Sequence, residues 1–505
     1  MRKILLFSFA VLSLALTGCD MNKQPFSSIN PENALQSMAD AQKLHNFVYA
    51  NFRGMTSGAY VYAGDFSTDL FHASIGFGNN GGDMYTWSQN ASNDNASGVW
   101  SGLYSAIAND NFFIQSIQKY VSSQTSDNPI SDADMAQLNI YKGEAYFSRA
   151  YAYFILAAYF CQDYDASTAE TAYGVPLVTV YQPSSDYSSY PGRSSLAQTF
   201  ELINADLDSA EKYITTAPEK AARYFTSDAV KAFRARVALY MDDYPTAIQY
   251  AEPLVTGGMY PFVADAQAYA NLWLNDSGDE CIMQVYADIN ELASSSSYGY
   301  LSFDPTKEIY SPMYIPTADM ISLYASDDIR LTQGFLNVSV DFSGVTGQVY
   351  LCNKYPGNPS FYVGNNSNYV NSPKPFRIAE QYLILAEAYA NTGNDAKASE
   401  LINALKSNRI PSYVETSYAG SQLISEIRNE RVRELYGEGF RFLDLRRYNE
   451  GFTRGVPQNS DVVYNIATEL TVSASDTHWL WPIPTAEVTS NPQIENQQNP
   501  GYSAQ

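Results

Sequence analysis

Histidine, cysteine and cationic side chains are scarce in this chain of 505 residues. Its three histidines and four cysteines are scattered, and no two of them have the short spacing of a zinc site. Lysine and arginine number 30 against 53 acidic residues, which gives a formal net charge of −23. Phosphate binding requires clustered cationic side chains. The sequence therefore argues against a histidine-based metal centre and against a nucleic-acid partner.

Long apolar runs are also missing beyond the N-terminus. From residue 20 onward no apolar stretch approaches the roughly 20 residues that a membrane-spanning helix needs, and the longest candidate, residues 150–161, is too short. Beyond Cys19 three cysteines remain, which cannot form a complete disulfide framework. We expect Cys161, Cys281 and Cys352 to be buried apolar side chains in a water-soluble body.

The first 19 residues have the pattern of a lipoprotein signal. A cationic start is followed by an apolar run over residues 4–16 and then by Thr17-Gly18-Cys19. The run has the length of a secretory signal, and the small residues before Cys19 resemble the bacterial lipobox, in which cleavage leaves a lipidated cysteine. We expect residues 1–18 to be a signal peptide, Cys19 to be the lipidation site and residues 19–30 to be a tether that holds the body at a bilayer. Ordinary secretion with an incidental cysteine is the alternative.

Three regions show helical periodicity. Residues 135–160 place apolar side chains at helical spacing and predict one long amphipathic helix. Residues 227–256 and 376–408 each predict a helical hairpin with a tight turn, and their alanines follow the pattern of a tetratricopeptide repeat of about 34 residues. Because the two hairpins are far apart in sequence, we expect long insertions between them instead of a tandem array. Any antiparallel helix pair can place alanine at its crossing, which is the alternative interpretation.

The segments at residues 54–100 and 289–375 are rich in Gly, Ser, Asn, Tyr and Pro and predict loops, which are usual places for binding residues. The chain has 41 tyrosines, and tyrosine combines an apolar face with a polar tip. An exposed ring can stack on a sugar while a nearby carboxylate binds its hydroxyls. The candidate ligand-binding residues are Asp69, Asp83, Tyr85, Trp87, Tyr298 and Tyr300. Alternatively, such side chains fasten a loop to its domain, and we expect Trp100 to belong to the core.

The C-terminal part carries a charged helical pattern. In residues 426–448 opposite charges lie three positions apart, which places them on one helix face or on both sides of a break at residues 437–439. The expected pairs are Glu430 with Arg433, Arg431 with Glu434, Glu438 with Arg441, and Asp444 with Arg447. Prolines in residues 479–502 predict an extended tail across the body instead of regular helix.

The lipobox at Cys19, the helix around Lys142-Gly143-Glu144-Ala145, the alanine-rich hairpins and the segment 426–505 with its ending PIPTAEVTSNPQIENQQNPGY together resemble the SusD/RagB family. These are surface lipoproteins that sit over SusC-like TonB-dependent transporters in the Bacteroidota. The resemblance implies that residues 31–505 form a mainly α body, with tetratricopeptide-like helical hairpins as a scaffold and a large irregular loop-rich region. It further implies an outer-membrane location facing the exterior, although Asp20 after a lipidated cysteine is an inner-membrane retention signal in some bacteria.

For function, the resemblance implies a lid that captures an oligosaccharide and delivers it to the transporter. A peptide ligand, as in the RagB-like branch, and a helical scaffold that binds only protein remain open. We expect no enzyme activity, because the sequence has no nucleophile elbow, metal-binding helix or phosphate loop. Abundant acidic residues make some carboxylate pair inevitable, so the presence of such a pair is no sign of a glycosidase. No cofactor is expected; acidic loops could hold a structural calcium ion, but no twelve-residue ligand pattern is present.

Overall fold

The computed structural model describes residues 33–127, 129–364 and 366–503, so the predicted signal peptide, Cys19 and the predicted tether lie outside the described residues. Helices dominate the described chain. They are α1 (Met38–Met55), α2 (Ala59–Phe66), α3 (Gly82–Tyr85), α4 (Asp94–Ser122), α5 (Asp132–Phe160), α6 (Leu196–Tyr213), α7 (Ser227–Tyr240), α8 (Tyr244–Thr256), α9 (Ala266–Leu274), α10 (Tyr298–Leu301), α11 (Ala318–Ser322), α12 (Ile329–Gly334), α13 (Ile378–Asn391), α14 (Asp395–Ser407), α15 (Gly420–Leu435), α16 (Arg441–Arg447) and α17 (Thr485–Ser490).

The strands are short and form small sheets. They are β1 (Phe71–Ala73), β2 (Tyr173–Pro176), β3 (Arg193–Ser195), β4 (Cys281–Met283), β5 (Phe303–Asp304), β6 (Ile309–Tyr310), β7 (Tyr314–Pro316), β8 (Phe335–Phe342), β9 (Val345–Cys352), β10 (Phe376–Arg377), β11 (Phe452–Thr453) and β12 (Thr471–Val472). The largest sheet has the order β5-β6-β8-β9, and β1 pairs antiparallel with β7 so that Ala73 lies opposite Tyr314. This last pair joins the two loop-rich segments.

Side-chain caps fix where the principal helices begin. Asn93 accepts a hydrogen bond from the amide of Ala96 at the start of α4, and Ser131 does the same for Asp134 at the start of α5. Ser195 and Gln198 form a reciprocal capping box at the start of α6. Because each cap satisfies amides that the first helical turn leaves unpaired, these starts are encoded locally.

Both predicted hairpins are confirmed, as α7–α8 and α13–α14. The residues between the hairpins form separate elements that follow α8 and end at β10. Helix α8 nevertheless packs directly against α13, so the two hairpins lie side by side. Ala235, Ala247, Ala251, Ala386 and Ala398 are all fully buried in one apolar cluster shared by the hairpins. Small side chains allow helix axes to approach closely, which explains the alanine pattern. Helices far apart in sequence are thus neighbours in the folded chain.

The N-terminal half of the frame is built on the predicted long helix, α5. It packs between α4 and α6, and its C-terminal half is buried almost all round. Trp100 on α4 is 3% exposed and packs edge-on against Phe160, as predicted for a core residue. Cys161, Cys281 and Cys352 are buried free thiols, also as predicted.

Two of the four predicted charge pairs in the C-terminal part are wrong. Glu430 does pair with Arg433 at 2.6 Å and Asp444 with Arg447 at 2.9 Å. Arg431, however, turns to Asp444 at 2.8 Å. Glu438 accepts from Arg377 and Arg441 donates to Asp69, so neither bonds to the other. These partners belong to other elements, between 13 and 372 positions away, which spacing along one helix cannot reveal.

Glu434 is the centre of a buried ionic network rather than part of an exposed helix face. It accepts hydrogen bonds from Arg377 at 2.8 Å, from Arg409 at 3.0 Å and from Arg330 at 3.2 Å, and all four side chains are almost completely buried. Burial opposes the ionisation of Glu434, but the three guanidinium groups outweigh it and hold its pKa well below the usual range. The network joins α12, β10 and α15.

The C-terminal tail crosses the body as predicted, with one correction. The amide of Trp481 donates to the carbonyl of Tyr159 at 2.8 Å, and the Trp481 side chain is 1% exposed. The prediction of no regular helix is wrong for α17, because Pro484 precedes the first turn, where its missing amide hydrogen costs nothing. Within the described ranges, no helix combines the length and apolarity needed to cross a bilayer.

Candidate ligand-binding cleft

A cleft of about 370 Å³ opens between the two segments that the sequence marks as loop-rich. Its first wall comes from α2, from the loop before α3 and from the start of α4. Its second wall comes from the loop around α10 and from the start of β7. We call it the aromatic cleft, and it is lined by Tyr62, Phe66, Asn80, Gly81, Asn95, Ser295, Ser296, Gly299, Tyr300, Met313 and Tyr314.

Stacked rings give the cleft a rigid wall. The half-buried ring of Tyr62 stacks on Phe66 with centroids 6.0 Å apart, and Phe66 stacks on Tyr314 at 4.8 Å with only 15° between the planes. Phe66 and Tyr314 are 2% and 3% exposed, whereas Tyr62 keeps part of its surface open. Burial raises the pKa of Tyr62, so its hydroxyl stays protonated at neutral pH. The wall therefore presents a supported, uncharged aromatic side chain.

Polar groups surround this wall. The hydroxyl of Tyr314 donates to the carbonyl of Asn80, and Asn80 Nδ2 lies 3.3 Å from Met313 Sδ. Asn95 is half-buried and makes no side-chain hydrogen bond to any residue that the structure describes. The buried hydroxyl of Tyr300 likewise has no partner among the described residues. The amide of Asn95 is thus available to a molecule in the cleft, whereas the hydroxyl of Tyr300 is buried away from it.

A tight turn at residues 79–82 brings Asn80 to the rim. Asn79 and Gly81 both have positive φ, at 61° and 65°. A Cβ atom on Gly81 would stand 2.6 Å from Phe66 Cζ, so glycine is required both for the backbone conformation and for the close approach to the ring. The Asn-Asn-Gly-Gly run in the sequence is the local signal for this turn.

Backbone and side-chain hydrogen bonds hold the second wall in place. The amide of Met313 donates to the carbonyl of Gly299 at 2.8 Å, which fixes α10 against the start of β7. The amide of Gly58 donates to Ser296 Oγ at 3.1 Å and ties the same wall to the start of α2. Two segments separated by more than 200 residues thereby form one cleft.

Two family models match the chain. One, described as "SusD family", matches residues 343–502, and the other, described as "Starch-binding associating with outer membrane", matches residues 26–239. Together these ranges make up more than half of the chain and include both ends of the described body. The chain belongs to the SusD/RagB family.

Individual relatives agree with this assignment. SusD-like protein P38 of Formosa agariphila is 24% identical over 442 residues, which are 78% of this chain and 78% of that protein. The crystal structure of a SusD superfamily protein from Bacteroides thetaiotaomicron is 26% identical, with a TM-score of 0.77 over 92% of this chain and 100% of that one. Surface glycan-binding protein A from Bacteroides fluxus shares the fold, with a TM-score of 0.69, 18% identity, and coverage of 93% and 100%. The predicted mainly α, SusD-like fold is confirmed.

Within this SusD-family fold, two of the predicted aromatic residues belong to the core. The Trp87 side chain is 7% exposed, its Nε1 donates to the carbonyl of Ser67 at 2.6 Å, and Trp479 packs edge-on against it at 4.6 Å. Tyr85 is fully buried, with the guanidinium of Arg454 3.8 Å above its ring. Neither ring has a free face, so the expectation that they form an exposed platform is wrong and the alternative of loop fastening describes them.

Both predicted carboxylates are occupied by structural contacts. Asp69 accepts two hydrogen bonds from Arg441, at 2.7 and 2.9 Å, which join the start of β1 to α16. Asp83 accepts from the side chain of Asn93 and from the amide of Met84. Neither carboxylate lines the aromatic cleft. Each carboxylate is engaged by its hydrogen-bond partners and fastens the segment that carries it.

Tyr300 is the predicted residue that the structure does place in the cleft. Its ring stacks on Phe71 at 4.5 Å with 7° between the planes, and it is 3% exposed, so it supports the wall and presents neither a ring face nor its buried hydroxyl to a ligand. Burial raises the pKa of Tyr300 well above its ordinary value, which keeps that hydroxyl a donor. Tyr298 begins α10 beside the cleft, and the structure describes its backbone alone.

Sequence reasoning missed Tyr62, Asn80, Asn95 and Met313 as individual residues, although the two segments that supply them were predicted. Tyr62 lies on a short helix inside a segment predicted as loop, and Asn95 lies on the first turn of α4. The Asn-Asn-Gly-Gly turn was a usable signal for Asn80. Nothing local distinguishes Tyr62 from the other tyrosines, because its position depends on the stack with Phe66 and Tyr314.

Proposed function

We propose that the protein is an outer-membrane lipoprotein that binds an oligosaccharide in the aromatic cleft and delivers it to a SusC-like TonB-dependent transporter. The observation that carries the binding step is the combination in one cleft of the supported, partly open ring of Tyr62 with the unpaired side-chain amide of Asn95. A sugar has an apolar face for the ring and hydroxyls for the polar groups. Cavities of this size with few fixed polar groups are typical of small-molecule sites.

The composition of the cleft favours binding without turnover. Among the residues that the structure describes, its lining includes no aspartate, glutamate, histidine, lysine or cysteine. Hydrolysis of a glycosidic bond uses two carboxylic acids at a defined separation, and the cleft offers none. Burial raises the pKa values of Tyr62, Tyr300 and Tyr314, so these phenols serve as hydrogen-bonding groups and not as bases.

Membrane attachment and partner are part of the same proposal. The lipobox pattern ending at Cys19, the description of the matching family as associating with the outer membrane, and the name of the glycan-binding relative support it. A body attached by acyl chains at its N-terminus lies at the bilayer surface, where a transporter can receive what the body binds. No cofactor enters this function.

Isothermal titration tests the binding step directly. Wild-type protein is titrated with linear malto-, cello-, xylo- and manno-oligosaccharides and with tri- to pentapeptides, and products are checked by chromatography. We expect heat from at least one oligosaccharide and no product. For that oligosaccharide, Tyr62→Ala and Asn95→Ala should each weaken binding tenfold or more, which corresponds to about 1.4 kcal/mol.

Tyr187→Ala is the matched control for these variants. Tyr187 is 55% exposed in the loop between β2 and β3 and does not line the cleft, so its replacement should leave the affinity unchanged. Heat from peptides alone would favour the RagB-like alternative. Absence of heat with every oligosaccharide and peptide would favour a scaffold that binds only protein. Heat from peptides alone and absence of heat throughout would each contradict the proposal.

A further inference from the structure

A second, larger cavity of about 530 Å³ lies open to solvent beside the loop between β11 and β12. The first turn of α11 contributes Asp319, and the loop contributes the remaining lining. We call this cavity the polar basin and define it by Asp319, Gly455, Val456, Asn465, Thr468 and Glu469. None of these residues lines the aromatic cleft.

Buried side chains fix the floor of the basin. Arg454 is 3% exposed and donates to the carbonyls of Ala467 at 2.8 Å and Tyr85 at 3.0 Å, which holds both ends of the loop together. His72 is fully buried, and its Nε2 donates to the carbonyl of Gly455 at 2.7 Å. The shape of the basin is therefore set before anything binds, which reduces the cost of ordering it.

The basin contains hydrogen-bond acceptors that bond to no residue in the described chain. The side chains of Asp319, Asn465, Thr468 and Glu469 make no hydrogen bond or ion pair with any described residue. Val456 is 64% exposed and supplies an apolar surface beside them. A neutral molecule with many hydroxyl donors matches this set, because hydrogen bonds to ionised carboxylates are stronger than those between neutral groups.

Aromatic contacts show that the loop that lines the basin lies near the aromatic cleft. Tyr464 is 46% exposed and stands between Val463 and Asn465, which both line the basin. Its ring lies 5.5 Å from the ring of Phe77, which in turn lies 6.3 Å from Tyr314 in the wall of the cleft. Tyr464 itself does not line the basin, and Phe77 and Tyr314 are buried, so of these three rings Tyr464 is the one that offers surface between the two cavities.

From this arrangement we infer that the polar basin is a second glycan subsite and that the ligand is a chain long enough to occupy the basin and the aromatic cleft together. The inference rests on the proposed function and extends it from an oligosaccharide of any size to an extended one. Two subsites on one chain raise affinity strongly, because the second contact forms at a high effective concentration. Short fragments, which reach only the cleft, gain nothing from the basin.

A length series tests this inference. Wild-type protein and the double variant Tyr464→Ala/Glu469→Gln are titrated with malto-, cello-, xylo- and manno-oligosaccharides, each from disaccharide to octasaccharide. In the series that binds, we expect the two proteins to have equal affinity for the shortest binding member. For the longest member the double variant should bind at least tenfold more weakly.

Controls separate this inference from the proposed function. Tyr187→Ala/Glu201→Gln removes an exposed tyrosine and an exposed glutamate that line neither cavity, and it should follow the wild type at every length. Equal affinities of wild type and Tyr464→Ala/Glu469→Gln for all lengths, with Tyr62→Ala still weakened, would overturn the second subsite alone. An equal loss at all lengths would also overturn it. Absence of binding to any series by the wild type would overturn both proposals.

Discussion

The indole of Trp87 is held inside the protein on every side. Its nitrogen is satisfied by the carbonyl of Ser67, and Phe452 and Trp479 pack against its ring. At residue scale this shows that an aromatic side chain in a glycine-rich segment can serve the core as well as a ligand. Tyr62 has the opposite arrangement, because Phe66 supports one side of its ring and part of the remaining surface is open to solvent.

Replacement of Trp87 by alanine should therefore destabilise the fold rather than remove a ligand contact. Removal of a buried tryptophan side chain leaves a cavity, and we expect a loss of about 3–5 kcal/mol in the free energy of unfolding, measured by urea denaturation. Tyr187→Ala serves as the exposed control. A Trp87→Ala protein of wild-type stability that fails to bind oligosaccharide would contradict this assignment.

Asp65 on α2 is a buried carboxyl group through which the stability of the fold should depend on pH. Burial raises its pKa to about 7, although the amide of Gly439 donates to one oxygen at 3.3 Å; the other oxygen has no partner in the described chain. The folded protein therefore holds a proton that the unfolded chain releases near pH 4. Stability conferred by this group is present below about pH 4 and is lost as the pH rises to about 7.

Asp65→Asn removes this proton linkage while keeping an acceptor for Gly439. Between pH 4 and 7 the wild type should lose stability relative to the variant, by roughly 4 kcal/mol at the upper end of that range. Urea denaturation of both proteins at a series of pH values measures the difference. A difference that is constant with pH would show that the carboxyl group ionises normally in the folded state.

At the scale of elements, the helices of the three periodic regions were predictable, whereas two of the four predicted charge pairs were wrong. The periodicity of α5 and the turns within α7–α8 and α13–α14 are determined by residues that are neighbours in the sequence, so the sequence predicts them correctly. The side-by-side packing of the two hairpins and the network around Glu434 depend on contacts between separate elements; the partners of Glu434 lie 25, 57 and 104 positions away in the sequence. The same limit applies to the cleft: its two segments were predictable, but only the fold selects Tyr62 and Asn95 from them.

The buried network makes α15 sensitive to single substitutions. Glu434→Gln leaves Arg330, Arg377 and Arg409 buried with one negative charge fewer, and we expect a loss of about 3–5 kcal/mol in the free energy of unfolding. Lys220→Ala, which removes an exposed partner of Asp279, is the control and should change little. Equal urea midpoints for wild type and Glu434→Gln would show that the network contributes nothing to stability.

At the scale of the whole molecule, the proposed lipid attachment at Cys19 would place the cleft at the membrane surface. Cys19→Ala removes the residue that the lipobox pattern marks for acylation, so the protein should leave the membrane fraction and appear in soluble fractions. Cell fractionation followed by detection of the protein measures this change. Retention of Cys19→Ala in the outer-membrane fraction would show that another contact holds the protein there.

A crystal structure with the oligosaccharide that binds most tightly in the titrations would show whether the aromatic cleft receives a sugar. We expect a pyranose ring packed against Tyr62, with a hydroxyl oxygen within about 3.2 Å of a side-chain polar atom of Asn95. A bound sugar elsewhere on the molecule, with the cleft empty, would contradict the account.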